Sequence, residues 1–350
     1  MIPTSHGRRR AAAGFVARTL ICSTALLAAG PAFPLDLDRA DVQAFMSELV
    51  QKDAFEAPYV RKVLSGVEPR QSILDAISRP AEKVKPWFEY RAIFLTPRRI
   101  SAGVDFYRAH EARLRKIAAS SGVPAEIITA ILGVETFYGT RTGSFPAIDA
   151  LSTLAFDYPP RGDFFRRELR NLFLLAREEQ LDISKINGSY AGALGPPQFI
   201  PSSYLNFGVD GDGDGRRDLL TNWDDIAASV ANYFREHNWQ AGQPVATQAQ
   251  LASGAKAPAD TGELVLKDTV ASLARQGVQF TTDLPDTAPA MLVKMEGEAG
   301  PEYWVGFQNY FTITKYNRST MYALAVYQLS EAIAAAAGLR GDNVPVANAP

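Results

Sequence analysis

The stretch Pro124-Ala-Glu-Ile-Ile-Thr-Ala-Ile-Leu-Gly-Val-Glu135-Thr-Phe-Tyr138-Gly139 constrains the chain more than any other. It reads as a helix, with Pro124 near its first turn and Gly139 just past its end, the positions those residues favour. Ile128, Ile131 and Leu132 recur at helical spacing, and Glu135 follows Ile128 by seven residues and Ile131 by four. The carboxylate therefore shares their face. Any fold built on this helix must carry a carboxyl group in its last turn, on the side turned to the core. Desolvation and the negative helix C-terminus both disfavour the ionised form, which predicts a raised pKa. A carboxyl group still protonated near neutral pH is what glycosidic-bond cleavage requires of a general acid. The position also suits a half-buried carboxylate paired with Arg141 or another base, and this helix alone leaves both readings open.

The first 32 residues stand apart. Arg8, Arg9 and Arg10 form a basic start, Thr19 to Gly30 an apolar run, and Gly30-Pro31-Ala32 a small-residue cleavage site. Together they read as an export signal, and the adjacent arginines before Ala11 loosely match a twin-arginine signal. The apolar run is too short to span a bilayer comfortably, and no later stretch reaches the length of a transmembrane helix. Cys22, the sole cysteine, lies inside this segment. The residues before it, Thr19-Leu20-Ile21, lack the small residue that lipid modification of a bacterial cysteine wants. The mature chain is thus expected to have no disulfide. Losing residues 1–32 removes four arginines and no acid, which leaves 32 basic against 38 acidic residues and moves the net charge from −2 to −6. That balance argues against nucleic acid as a partner. At 350 residues, 47% hydrophobic and 21% charged, the chain has the make-up of a globular protein with two or three subdomains.

Helical patterning covers about 36–78, with Val42, Phe45, Met46 and Leu49 on one stripe, until Pro80 and Pro86 break it. The segment from Pro86 to Pro97 reads as an aromatic-rich connector. A helix follows over about 98–119, and Gly122-Val123-Pro124 opens the helix of Glu135. Residues 141–163 read as loop around a short apolar run, Ile148 to Phe156. The next helix, about 164–179, turns Leu169, Leu172, Phe173 and Ala176 inward. Three glycines and three prolines between Gly188 and Tyr204 specify a tight backbone, and a helix over about 223–237 closes this part. After Asn238 the pattern changes. Residues 241–260 are rich in Ala, Gln, Gly and Pro, and strand-like runs fall at 262–266, 278–282, 290–296, 303–307 and 310–316, with one helix at about 267–275. A last helix spans about 319–336, and the tail from Gly338 reads as disordered.

Three runs carry a family resemblance: Gly133-Val134-Glu135-Thr-Phe-Tyr138-Gly139, Gly188 to Tyr204, and Phe311-Thr-Ile-Thr-Lys-Tyr316-Asn317-Arg-Ser319. Their order and spacing resemble the membrane-bound lytic murein transglycosylase B family, enzymes that cut bacterial peptidoglycan, and the resemblance extends from about Phe45 to Ala336. It implies a mainly helical α+β fold, a lysozyme-like catalytic core with a small β-rich insertion. The expected division is a signal peptide at 1–32, a helical catalytic region at 33–240, a β-rich subdomain at 241–318 that returns to the cleft, a C-terminal helix at 319–337 and a tail at 338–350. The resemblance also implies that Glu135 works without a second catalytic carboxylate. Glu135 protonates the oxygen between N-acetylmuramic acid and N-acetylglucosamine, then takes the proton of the muramic acid C6 hydroxyl as that group attacks C1, giving a 1,6-anhydro product. No cofactor is implied for catalysis. The implied partners are glycan strands and other cell-wall enzymes, with the protein acting as a monomer in the periplasm.

Matching positions place Ser189 and Gln198 along the cleft beside the acid and Tyr316 and Asn317 near the cleaved bond. Tyr90 and Tyr233 fall along the sugar sites, where rings suit the apolar faces of pyranoses. Taken alone, Ser189 also suits a turn cap and each tyrosine a core position. In Tyr158-Pro159-Pro160-Arg161 many relatives carry two adjacent arginines that attract peptide carboxylates; here Pro160 replaces the first and Arg161 remains. Asp210-Gly-Asp212-Gly-Asp214-Gly215-Arg216-Arg217-Asp218 matches the first nine positions of an EF-hand loop, with Gly215 at the sharp turn and Arg216 at the position that offers a backbone carbonyl. The family has calcium in this loop, which implies a structural Ca2+ here. The twelfth position is Thr221, so Asp224 or Asp225 would have to supply the missing acid; a solvated Gly/Asp turn is the simpler alternative. Two functional rivals stay open. A hydrolase of the same fold would need a second carboxylate, with Asp149, Asp157 and Asp163 as candidates, and a non-enzymatic wall-binding protein would not need Glu135. Ser-His-Asp and zinc chemistry find no supporting motif, since His6, His110 and His237 are scattered.

Overall fold

The computed structural model describes residues 34–78, 85–255 and 264–339. The expected signal peptide, Gly262 and Glu263, and the tail beyond Leu339 lie outside them. Three helices open the described chain, α1 (Ala40–Asp53), α2 (Ala57–Ser65) and α3 (Gln71–Ile77). Ala54 closes α1 in a left-handed conformation, and Pro58 starts α2. The segment after Pro86 is not a connector. Trp87–Phe94 is a helix, α4, whose buried face carries Trp87 and Tyr90, because prolines just before a first turn start helices as readily as they end them. The single helix expected near 98–119 is two, α5 (Pro97–Ala109) and α6 (Glu111–Ser121), which meet at His110.

Helix α7 (Ala125–Thr136) buries nine of its twelve residues and packs against α5, α6 and the last helix of the chain. Its terminator is Phe137, not Gly139: Phe137, Tyr138 and Gly139 have φ of 51°, 58° and 81°. Residues 141–163 hold a helix where a loop was expected, α8 (Ala147–Asp157). Every residue from Ala147 to Phe156 is buried, and a helix hidden on all sides shows no 3.6-residue stripe. Next come α9 (Gly162–Glu178), α10 (Pro201–Phe207) and α11 (Trp223–Glu236). Two short strands, β1 (Phe145–Pro146) and β2 (Asn187–Gly188), pair antiparallel with Phe145 opposite Gly188.

The insertion is a five-stranded antiparallel sheet. Its strands are β3 (Ala246–Leu251), β4 (Asp268–Thr269), β5 (Val278–Gln279), β6 (Pro289–Gly297) and β7 (Gly300–Gly306), in the order β4-β6-β7-β3-β5. The small helix α12 (Val270–Arg275) leaves β4 through a capping box made by Thr269 and Ser272. Alternation along β6 divides its side chains between two cores. Met291, Val293 and Met295 join the helical body, while Ala290 joins the cluster formed with Val270 and Leu273 of α12. The strand-like run 310–316 is in fact a helix, α13 (Gln308–Tyr316), with Tyr310 and Ile313 buried on one face. Its β-branched and aromatic residues favour strands locally, and packing against the last helix overrides that preference. That helix, α14 (Thr320–Ala337), starts from Ser319, whose side chain accepts from the Tyr322 N–H, and packs on α4, α5, α7 and α13. Among the described residues no single helix is long and apolar enough to cross a membrane.

Candidate active site

Glu135 ends a helix whose last turn is fastened to the glycine-rich loop. Thr136 Oγ1 donates to the Pro196 carbonyl (2.9 Å) and accepts from the Gly139 N–H (3.0 Å). Beyond the turn, Gly143 has φ 98°, and a Cβ there would lie 2.1 Å from the Gly188 carbonyl oxygen. Only glycine lets these backbones approach so closely. The same holds at Gly195, where a Cβ would meet the Leu219 carbonyl oxygen at 2.1 Å. The glycines of the sequence motif thus clamp the loop of Ser189 and Gln198 beside the end of α7.

The half-buried Glu135 carboxylate accepts a hydrogen bond of 2.5 Å from the Tyr322 hydroxyl on Oε1. Tyr322, on the first turn of α14, is 2% exposed. Burial and the charge of Glu135 hold its phenol well above the ordinary tyrosine range, so it stays a donor. Tyr316 lies in the same field: burial first, then Glu135, raises its phenol, and its hydroxyl donates to the Pro197 carbonyl (2.6 Å). Sequence reading missed Tyr322. Ser319 at a helix start was the available signal, since a helix beginning there aims its first turn at the cleft.

The other expected residues sort into surface and support. Ser189 is half-buried, and its Oγ accepts from the Ala191 and Ala193 N–H groups (3.2 and 3.1 Å), so it caps a turn of the glycine-rich loop. Gln198 spends its amide hydrogens on the Thr142 and Gly195 carbonyls (3.1 and 2.9 Å). Asn317 caps α13 and bridges to α14 through Ser319, whose N–H donates to the Asn317 carbonyl (2.7 Å). Tyr233 is 8% exposed inside an aromatic cluster. It stacks on His237 with centroids 4.1 Å apart, meets Tyr316 edge-on at 4.9 Å and donates to the Lys315 carbonyl (2.6 Å). Burial pushes its phenol up to about 12. Tyr90 is 3% exposed, stands 5.2 Å from Phe94 and adds to the field around Tyr322. Arg161 is exposed and lies over Phe164 at 4.2 Å. The Arg141 guanidinium rests against Phe137 at 5.5 Å, and the Tyr322 hydroxyl reaches Glu135.

The three carboxylates a hydrolase could recruit are held by arginines. Asp149 is 4% exposed and binds Arg70 through Nε and Nη2 (3.2 and 2.9 Å). Asp157 pairs with Arg39 (2.7 Å), and Asp163 with Arg166. In the aspartate loop, carboxylate oxygens of Asp210, Asp212 and Asp214 lie within 4.8 Å of one another, and Gly215 has φ 88°. Hydrogen bonds from backbone N–H groups, Gly215 first, draw the Asp210 carboxyl below its ordinary range. Asp218 accepts from Leu220, Thr221 and the Thr221 hydroxyl. Neither expected substitute for the twelfth position is unoccupied. Asp224 binds Arg113 (2.8 Å), and the buried Asp225 accepts from the Gly211 and Asp218 N–H groups (2.7 Å each).

A helical body with a small curled sheet, and an acid at the end of a buried helix, place the chain in the lysozyme-like class of glycan-cleaving enzymes. The transglycosylase SLT domain matches residues 38–331, and the chain belongs to that family as a lytic transglycosylase. It is 39% identical over 307 residues to membrane-bound lytic murein transglycosylase B of Escherichia coli strain K12, covering 85% of this chain and 83% of that protein. The soluble lytic transglycosylase SltB1 of Pseudomonas aeruginosa, in its catenated structure, superposes with a TM-score of 0.81 at 46% identity, over 86% of this chain and 99% of that one. The Escherichia coli lytic transglycosylase Slt35 in complex with calcium gives 0.79 at 36% identity, over 87% and 96%.

Proposed function

We propose that this lytic transglycosylase cleaves the β-1,4 bond between N-acetylmuramic acid and N-acetylglucosamine with Glu135 as acid and then base. Glu135 gives its proton to the departing glycosidic oxygen as the C1–O bond breaks. The muramic acid C6 oxygen bonds to C1, and its proton passes to the Glu135 carboxylate, which restores the acid without water. The observation that carries this reading is the half-buried Glu135 carboxyl at the end of α7, with Oε1 accepting from the buried Tyr322 hydroxyl: that bond fixes the orientation of the group that exchanges the proton. The arginine pairs on Asp149, Asp157 and Asp163 weigh against the hydrolase rival, because none stands ready to activate water. Ser189, Gln198, Tyr316 and Asn317 line the reacting sugars in this reading. Tyr90 and Tyr233 back that surface, and Arg161 offers a cation to peptide carboxylates.

The aspartate loop holds a structural Ca2+ through the carboxylates of Asp210, Asp212, Asp214 and Asp218 and the carbonyl of Arg216. Burial and the charges of Asp212 and Asp210 raise the Asp225 carboxyl, a repulsion that a cation would relieve. The calcium complex of Slt35 supports the ion, and the unmet twelfth position weakens its grip. The protein acts as a periplasmic monomer after export. Mass spectrometry of peptidoglycan digested by the mature protein and by Glu135→Gln tests the chemistry: anhydro-muropeptides from the wild type alone are expected. Reducing muropeptides would mean hydrolysis, and glycan binding with no cleavage by either protein would favour a binding role.

A further inference from the structure

We propose that Arg98 and Arg141, gathered around Phe137 beside the end of the catalytic helix, bind the carboxylates of the peptide stem carried by muramic acid. The assignment rests on the glycan-cleaving reading above. Phe137 follows Glu135 by two residues, and three guanidinium groups meet its ring, Arg99 at 5.2 Å, Arg98 at 5.4 Å and Arg141 at 5.5 Å. No two of these charges can be more than about 11 Å apart, close to one Debye length. Among the described residues none of the three is in an ion pair. In a chain with a surplus of acids, that is a conspicuous gathering of unpaired cations.

Arg99 is the supporting member. It is 8% exposed, donates through Nη1 to the Gly133 carbonyl (3.1 Å) and keeps a buried Nε without a hydrogen-bond partner. Burial disfavours its charge most, and the like charge of Arg141 adds to this against the Tyr138 phenol. An anion at the patch would relieve that repulsion. Arg98 and Arg141 are exposed. A guanidinium stacked on a ring keeps its in-plane N–H groups for an incoming carboxylate, which it can bind through two parallel hydrogen bonds. The patch adjoins the loop of Ser189 and Gln198. Arg141 precedes Thr142, whose carbonyl accepts from Gln198 (3.1 Å), and Gly143 runs against Gly188 at the foot of Ser189. Pro160 leaves Arg161 without an arginine neighbour in sequence, whereas Arg98 and Arg141 meet at one ring.

The test compares the mature wild type with an Arg98→Ala/Arg141→Ala variant on two purified glycans, strands bearing their stems and the same strands after an amidase has removed them. The variant is expected to lose roughly tenfold in kcat/KM on stem-bearing strands, through KM, and to match the wild type on bare strands. Arg98→Lys/Arg141→Lys should recover part of the loss, and the wild-type preference for stems should shrink between about 50 and 300 mM salt. Free stem peptide should compete better than inorganic phosphate at equal ionic strength. Equal losses on both glycans, no loss on either, or equal inhibition by phosphate would each overturn the assignment. A wild type releasing no anhydro product from either glycan would overturn the reaction on which the site depends.

Discussion

Glu135 and Tyr322 are 187 positions apart in the chain and 2.5 Å apart in the cleft. The first stood out in sequence as a carboxylate in phase with Ile128 and Ile131, but its role was implied by the family resemblance and not by the helix alone. The second did not stand out, because its partner is fixed only when α14 docks on α7. Glu135→Gln keeps the shape of the side chain and removes the proton, so kcat should fall by about 10³-fold or more while glycan binding persists. Retained turnover in a steady-state assay on purified peptidoglycan would remove Glu135 from the chemistry. Tyr322→Phe keeps the buried ring and deletes one charge-assisted hydrogen bond, worth about 1.5–3 kcal/mol. A drop of about tenfold in kcat with an unchanged circular dichroism spectrum is expected. A kcat equal to wild type would mean that the hydroxyl neither orients nor stabilises the carboxylate. Ser189 and Gln198, proposed to line the sugar, each also hold the backbone of their loop.

At the level of elements, the legible helices were those with one wet face, such as α9 and α11. Those misread fail for separate physical reasons. Burial on all sides erased the stripe of α8, strand-favouring residues disguised α13, and Pro86, which starts α4, was taken as a break. The division of 98–119 at His110 had no periodic signal either. There the chain turns because the imidazole packs against Phe106 and Trp223 (centroids 4.4 and 5.3 Å) and meets Arg113 Nη1 at 2.5 Å through Nδ1. A guanidinium can only donate, so that nitrogen must be the neutral acceptor. Burial and Arg113 hold the His110 pKa below its ordinary 6.5, against the opposing charge of Asp224. The unfolded chain therefore binds the proton first as pH falls. The stability due to a neutral His110 is complete above about pH 6.5 and is lost on acidification through the lower folded pKa. Thermal melts at pH 7.5 and 5.5 should show a smaller drop for His110→Gln than for the wild type. Equal drops would mean that His110 titrates alike in both states.

For the whole molecule, the aspartate loop is the feature most readily switched from outside. It joins α10 to α11, and α11 is tied to α6 by the Arg113–Asp224 pair. The far end of the loop touches the glycine-rich loop where Leu219 meets Gly195. An ion bound only by the folded chain stabilises all of these together, by RT ln(1 + [Ca2+]/Kd). With a neutral residue at the twelfth position, affinity should resemble that of weak extracellular modules, a Kd of about 0.1–1 mM. At about 10 mM calcium this predicts roughly 1.4–2.7 kcal/mol, or about 2–4 °C in Tm for a chain of this size. Magnesium at the same concentration should do less, because it demands six short, regular contacts that a loop of spaced aspartates does not offer. Asp210→Asn/Asp212→Asn should abolish the calcium response. In chelator that variant should melt somewhat below the wild type, because Asp210→Asn gives up the charge-assisted bonds from the Gly213, Asp214 and Gly215 N–H groups. An unchanged melting point for the wild type across the titration would mean that the loop stands as a hydrogen-bonded turn without an ion. The backbone N–H bonds to Asp210, Asp212, Asp214, Asp218 and Asp225 would then hold it in place.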